Sequence, residues 1–400
     1  MSMKRFWLQI AIVILIVASI GTYYIRGTSS HLPEFALVPK QGDAEAAEGV
    51  LVEGLYRQTR YSPSVDIHVD GSKYASERSF LESLDPYYWS SGEVGQLARE
   101  YRSFMRGKRA DQSFYQDEQV VVYAGLDEVR VDGRWESQFD IAILNKQDEQ
   151  TMEYEVRVPD TSGYVLDEYL YPYVLDVQVY GDELVIVVAA RNYDTDDTEY
   201  RRYSLALASG EILSDEQLQF PLEEGEHVQR VWETKFTQAA SYNVFYTVFD
   251  DEESGGTDYG QFMRYDLESG QMDALESPVI DEFLEWQTSE NNMRAQIDGD
   301  RLMLTEVGGQ HVRVLDYDLS ADQGTVHQIE AAHVIHSHIA DDRIYMLIQE
   351  DPASPASVHV VHLPTGEVLF EGAIEVKDSK AESAEAMQKL VLDSISLLEP

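Results

Sequence analysis

The sequence predicts a mainly β, propeller-like repeat ectodomain of five or six blades, carried behind a single N-terminal transmembrane helix. Three observations predict it. They are an uncharged apolar run over residues 6–25, five copies of one strand-and-turn layout after residue 116, and a strongly acidic composition without cysteine. The alternative is a pair of tandem β-sandwiches, which the same hydrophobic alternation allows.

The run FWLQIAIVILIVASIGTYYI, from Phe6 to Ile25, carries no charge. As a helix it reaches across a hydrocarbon core of about 30 Å. Lys4 and Arg5 precede it on the short arm 1–5, and the positive-inside tendency keeps that arm cytoplasmic and sends the rest outside. Val17-Ala18-Ser19 is a poor signal-peptidase site, and the apolar stretch continues past it, so an uncleaved signal-anchor is expected. A buried core helix would need polar positions along one face, and Gln9 alone does not supply them. Residues 26–48 mix Gly, Ser, Pro, Ala and Glu with little periodicity and read as an extracellular stalk.

Residues 49–110 read as N-terminal strands plus a helix, either a cap or a first blade. VLVEGLYRQ and SVDIHVDGSKY have strand character, the second closing on an Asp70-Gly71 turn. The helix is expected over 91–106. Ser90 stands at its N-cap and Glu93 at the reciprocal capping position. Val94, Leu97, Tyr101, Phe104 and Met105 form one apolar stripe, and Gly107 ends it.

Residues 111–375 read as the propeller-like repeats. The apolar runs DEQVVVYAGL, GDELVIVVAARN, SYNVFYTVFDD, GDRLMLTEVGG and DDRIYMLIQED each follow an acidic or polar turn. Their first apolar residues, Val120, Leu184, Val244, Leu302 and Ile344, lie 64, 60, 58 and 42 residues apart. Partner strands end in small turns at Gly210, Gly270, Gly324 and Gly366. Repeats of that length, each with room for four strands, suit propeller blades better than solenoid turns. Residues 376–400 start like a helix and finish like a strand that could close the ring.

The turn Tyr265-Asp266-Leu267-Glu268-Ser269-Gly270-Gln271 resembles the blade turn of quinoprotein-like propellers, and Tyr203–Glu211 and Val361–Glu367 match it more loosely. The resemblance implies a propeller architecture. The tryptophans that complete the quinoprotein repeat are absent after these glycines, so no quinone cofactor is expected.

Composition narrows the partners. There are 73 Asp and Glu against 30 Lys and Arg, a net charge of −43. Such a field repels nucleic acids and anionic lipid surfaces, and it keeps a protein soluble in brine or at high external pH. Zero cysteines mean no disulfide framework and no thiol-linked lipid, natural for a large self-sufficient core on a bacterial cell surface.

No nucleophile elbow, phosphate loop or zinc-peptidase helix is present. His333, His336 and His338 precede Asp341; on a strand His336 and His338 share a face and could share a metal with a third ligand. The acidic hairpins holding Asp194 and Asp196, and Asp250 and Asp251, could offer oxygen ligands for weak Ca²⁺ binding. Turn tips of soluble hairpins carry such residues anyway. Tyr87, Tyr88 and Trp89, and Tyr169, Tyr171 and Tyr173, are candidates for contact with a partner, although most such rings pack inside.

The expected function is therefore a non-catalytic interaction or sensing module at the cell envelope, membrane-anchored and binding an envelope protein or wall component. The alternatives are a glycan-active hydrolase or lyase on the same scaffold, and a structural envelope protein.

Overall fold

Each apolar run predicted for a strand has hydrophobic residues on both faces, so each strand pair needs a neighbouring sheet above and below it. The computed structural model answers this with six sheets, antiparallel apart from one parallel strand pair. It describes residues 12, 15, 32–58, 62–77, 92–108, 110–131, 134–158, 170–192, 198–223, 225–233, 237–250, 257–285, 292–351, 354–377 and 383–397.

In chain order, β1 (Phe35–Gly42), β2 (Val50–Tyr56), β3 (Ser64–Ile67) and β4 (Ser72–Tyr74) precede helices α1 (Gly92–Glu100) and α2 (Arg102–Met105). β5 (Phe114–Gln116), β6 (Val120–Val131), β7 (Arg134–Asn145) and β8 (Thr151–Arg157) form the second sheet. β9 (Leu170–Tyr180), β10 (Glu183–Asn192), β11 (Thr198–Ala206) and β12 (Ile212–Gln217) form the third. Next come β13 (Glu226–Arg230), β14 (Trp232–Glu233), β15 (Tyr242–Asp250), β16 (Thr257–Asp266) and β17 (Met272–Ala274), then helix α3 (Pro278–Glu285). All of these strands except β14 make the fourth sheet. β14 pairs in parallel with β18 (Asn292–Asp298), which continues into β19 (Arg301–Val307), β20 (His311–Asp318) and β21 (Gln323–Glu330) as the fifth. β22 (Val334–Ala340), β23 (Arg343–Ile348), β24 (Ser357–His362) and β25 (Glu367–Val376) begin the sixth, and α4 (Ser383–Lys389) leads into β26 (Leu390–Leu397).

The five recurring runs are β6, β10, β15, β19 and β23, the second strand of the four-strand meander in each sheet from the second to the sixth, β14 and β1 being extra edge strands of the last two. Their partner strands end in one recurring turn. The fourth residue after the strand end takes a positive φ at Glu149, Gly210, Gly270, Asp322 and Gly366. At the glycines its N–H closes back on Ala206, Asp266 and His362. In the fifth sheet Asp322 fills this position instead of the expected Gly324. Gly324 lies on β21 beneath the Tyr317 ring, where an added Cβ would come within 2.6 Å of the ring.

The chain divides into two compact units, residues 87–329 and residues 1–86 with 330–400. In the latter, the two chain ends exchange places. β1 pairs with β25 and completes the sixth sheet, while β26 pairs with β2 at the edge of the first sheet, β26-β2-β3-β4. Their shared core holds Phe35, Leu37, Val52, Tyr74, Phe370, Ile374 and Ile395. Phe35–Gly42 is thus a strand and not part of a stalk. The burial of Phe35, Ala36 and Leu37 decides this, and Pro39 is tolerated because β1 is an edge.

In residues 87–329, α1 and α2 cover one face of the second sheet through Val94, Leu97, Phe104 and Met105. The helix expected over 91–106 is broken at Tyr101, whose ψ of 52° leaves the helical region. Ser90 lies outside the described residues. The buried carboxylate of Glu93 accepts from Thr237 N and Gln238 Nε2.

Each sheet from the second to the sixth contains four strands that neighbour one another in chain order, apart from β14, which leaves the fourth for the edge of the fifth, and β1, which joins the edge of the sixth. The expected anchor, 6–25, lies outside the described residues except for Ile12 and Leu15, which are helical and exposed. No helix among the described residues is long and apolar enough to cross a membrane.

The exchange of chain ends gives a direct prediction. Phe370→Ala opens a void in the core shared by β1, β2 and β26 and should cost about 3–5 kcal/mol. Urea denaturation checks it, and a loss below about 1 kcal/mol would show that β1 and β26 do not share one packed core with the sixth sheet.

Candidate interaction site

The third and fourth sheets pack face to face within residues 87–329, and side-chain alternation decides what enters the layer between them. β9 presents Tyr173 and Leu175, then, past an irregularity near Asp176, Asp176 and Gln178. β10 adds Val187 and Ala189, and β11 adds Tyr200. From the fourth sheet β13 contributes Arg230, and β15 contributes Asn243, Phe245, Thr247 and Phe249, two residues apart.

One end of the layer is polar and dry. Asp176 accepts from Gln178 Nε2 at 2.9 Å and from Asn243 Nδ2 at 3.1 Å. Arg230 Nε donates to Asn243 Oδ1 at 2.9 Å, Arg230 Nη1 to Leu175 O at 3.0 Å, and Arg230 lies 3.9 Å from Asp176. Burial pushes the Asp176 carboxyl above its ordinary range, while Arg230 and the hydrogen bonds from Gln178, Asn243 and the Val177 amide pull it back. The chain of contacts runs on through Gln178 to Gln238, from Gln238 to Glu93, and from Thr237 to Gln116. Every member is spent on holding strands and α1 in place.

The middle of the layer is aromatic. Tyr200, Phe220 and Phe245 meet edge to face at 5.0–5.6 Å, and the Tyr200 hydroxyl donates to Val228 O. The far end is open. Tyr173 is 44% exposed beside Ala189, Phe249 is 36% exposed opposite Glu226, and Leu222 is 46% exposed on the segment joining β12 to β13. Glu226 is half-buried here, its carboxylate accepting from Glu223 N at 2.6 Å. Arg191 lies on the same side of β10, two residues beyond Ala189. At this end of the layer Tyr173, Phe249 and Leu222 are thus left exposed beyond the aromatic cluster.

Of the residues expected to meet a partner, Tyr173 stands at this end. Tyr171 is on β9 opposite Arg191, and Tyr87, Tyr88, Trp89 and Tyr169 lie outside the described residues. Phe249 and Leu222 were not expected. The signal for Phe249 was its place as the last apolar residue of SYNVFYTVFDD, where an inward-facing side chain meets an acidic turn and runs out of cover.

Of the metal candidates His336, His338 and Asp250 fall among the described residues. His336 and His338 share a face of β22, but that face turns to the core. His336 Nδ1 accepts from Ile395 N, and His338 lies against Tyr345. Asp250 is the last residue of β15, and Asp194, Asp196 and Asp251 lie outside the described residues. Among the described residues no group of three or more His, Asp or Glu could hold a metal ion.

One carboxyl pair stands apart from ion pairing. Asp127 on β6 and Asp140 on β7 are hydrogen-bonded to each other, and Gln138 Nε2 donates to Asp140 at 3.1 Å. Burial first, then that hydrogen bond and the neighbouring charge, raises the Asp127 carboxyl. Asp127 is an exposed residue, so solvent screens the effect.

No protein-family model matches this chain, and no curated protein matches it. Among solved structures it is similar to a prolyl endopeptidase at 13% identity and a TM-score of 0.35, covering 90% of this chain and 51% of that one. It is similar to TolB from Acinetobacter baumannii at 10% identity and a TM-score of 0.23, covering 88% and 84%. It is similar to an oligogalacturonate lyase in complex with manganese at 10% and 0.35, covering 84% of each. The chain spans about half the length of the prolyl endopeptidase. Likenesses this low assign no activity.

Two predictions follow from the geometry. Asp176→Ala leaves Arg230 buried without its carboxylate and should cost about 3–5 kcal/mol in urea denaturation, with Asp176→Asn milder; equal, small losses would show that the pair is not buried. His338 and His359 are both lowered by burial, with Glu371 opposing at His359. Above the ordinary imidazole pKa of about 6.5 both folded and unfolded chains are neutral. Below it the unfolded chain takes up protons that the folded one resists, so stability should fall as the pH drops through the acid range. Thermal melts across that range should show a shallower slope for His338→Gln; an unchanged slope would mean that His338 is not the group responsible.

Proposed function

We propose that this chain is a β-propeller-type scaffold of six blades that acts as a non-catalytic interaction module at the bacterial cell envelope, tethered through residues 6–25 with its sheets outside. The single observation that carries the reading is the set of apolar side chains left exposed on the third and fourth sheets and the segment joining them, Tyr173, Phe249 and Leu222. Within residues 87–329 the buried Asp176 is enclosed by Arg230, Asn243 and Gln178, with burial also raising Tyr180 near it and no histidine among those hydrogen-bond partners. Within the other unit, His338 and His359 fall on opposite faces of the sixth sheet, being registered with Tyr345 and Met346. Catalysis gathers perturbed groups in one cleft; recognition gathers exposed rings.

A second reading, an enzyme acting on glycans, draws on the Asp127–Asp140 pair. Carboxyls in direct hydrogen-bond contact are closer than the separation of about 5 Å or more that glycoside hydrolysis uses. This ranks the enzyme second. A purely structural envelope protein would have no use for those exposed side chains.

The test is a photoreactive amino acid placed at Tyr173 of the full-length protein in intact cells, with Met152, exposed on β8, as the control position. The reading expects one defined envelope component crosslinked at Tyr173 and absent at Met152. Equal products at both positions, or none at either, would overturn it.

A further inference from the structure

We infer that the patch at the start of β1, formed by Glu34, Asp70 and Lys377, rests on the phospholipid headgroups of the membrane that holds residues 6–25. The inference rests on the tether reading above and names the surface that the tether brings to the bilayer.

Covalent length fixes how far the patch can stand off. A stalk was expected over 26–48, but β1 takes residues 35–42 from it, and the chain is already held before β1 begins. Leu32 packs against the core shared by β1, β2 and β26. Pro33 O accepts from the Tyr74 hydroxyl at 2.7 Å, and Glu34 O accepts from Lys377 N at 2.8 Å. Phe35 N donates to Ser72 Oγ at 2.9 Å. Only residues 26–31 thus separate Ile25 from the first held residue, Leu32. A chain of that length spans about 25 Å at its fullest extension, so the patch stays close to the bilayer.

Charge decides which way the sheets turn on so short a lead. At the start of β1 the charges nearly cancel, because Lys377 Nζ donates to Glu34 Oε1 at 2.9 Å and to Asp70 O at 2.6 Å. Among the described residues these contacts use two of the ammonium's three donors, and a headgroup phosphate suits the third. The far end of β1 is different. Gly42 lies about 23 Å along the strand from Phe35. Beyond it Asp43, Glu45 and Glu48 are all exposed, and the stretch 43–48 carries no basic residue. Anionic headgroups repel that end, as they repel most of a chain whose net charge is −43. The tether pulls at one point and the field pushes elsewhere, so the start of β1 faces the lipid and the acidic turn after Gly42 faces away.

The chain has no cysteine, so a single introduced one reports position without a background. The experiment reconstitutes the full-length protein in vesicles of phosphatidylcholine and phosphatidylglycerol that carry a rhodamine-labelled headgroup. An impermeant fluorescein maleimide labels Asp70→Cys or Glu45→Cys, and energy transfer to the rhodamine reads the height of each position. Transfer from position 70 is expected to exceed that from position 45, with the gap narrowing as salt screens the repulsion. Lys377→Glu should lower transfer from position 70, and so should doubling the spacer with Gly and Ser after Ser29. Melting curves like those of the native protein show that each variant is folded. Equal or reversed transfer in protein that floats with the vesicles overturns the inference and leaves the tether standing. Transfer from position 70 that ignores both Lys377→Glu and the longer spacer overturns it as well. Full-length protein that does not float with the vesicles removes the tether, and the inference goes with it.

Discussion

Everything in this protein depends on sheets that are greasy on both sides. β10 reads ELVIVVAARN, with Leu184, Ile186 and Val188 facing the second sheet and Val187 and Ala189 facing the fourth. A four-stranded sheet of that kind has no stable existence in water by itself, because covering one face still leaves the other wet. Stacking is therefore a condition of folding, and within residues 87–329 the second and fourth sheets shield the two faces of the third. The interlayer cores, from Phe139 against Tyr203 to Phe262 with Leu315, are the product of that condition.

Burying both faces creates a second problem, since flat apolar layers can slide or pair in the wrong order. The polar cluster around Asp176 answers it. A buried carboxylate with its partners supplied by β13, β15 and β9 has one satisfactory arrangement, and a slipped layer would strand charges out of water. Glu93 extends the same logic to α1, fixing a helix to the strand connection at Thr237 and Gln238. The pair Glu306 and Arg313, both buried, does comparable service between β19 and β20, where the Arg313 guanidinium also rests over the Phe283 ring.

Much of the fold was legible in the sequence because strand interiors are dictated by local pattern. Val120, Leu184, Val244, Leu302 and Ile344 each fall in the second strand of a four-strand meander, and the turn ending in Gly210, Gly270 and Gly366 recurs because a positive φ is needed at that place. Where the pattern failed, a long-range contact outvoted it. The Glu93 position matched a helix cap, but a partner some 144 residues away claimed the carboxylate. Phe35–Gly42 lies in the stretch 26–48, whose mix of Gly, Ser, Pro, Ala and Glu looked like a spacer, and its pairing with β25 makes it a strand. The candidate site was half legible. Tyr173 was visible as one of several tyrosines, whereas Phe249 acquires meaning only when β15 is laid against β9.

The exchange of chain ends has a consequence for biogenesis. β2 cannot be flanked on both sides until residues 390–397 have been made, and the sixth sheet cannot be finished without residues 35–42, the first strand to emerge. A chain cut short during synthesis would keep a naked ribbon edge at Val50–Tyr56, the kind of surface that proteases and folding factors recognise.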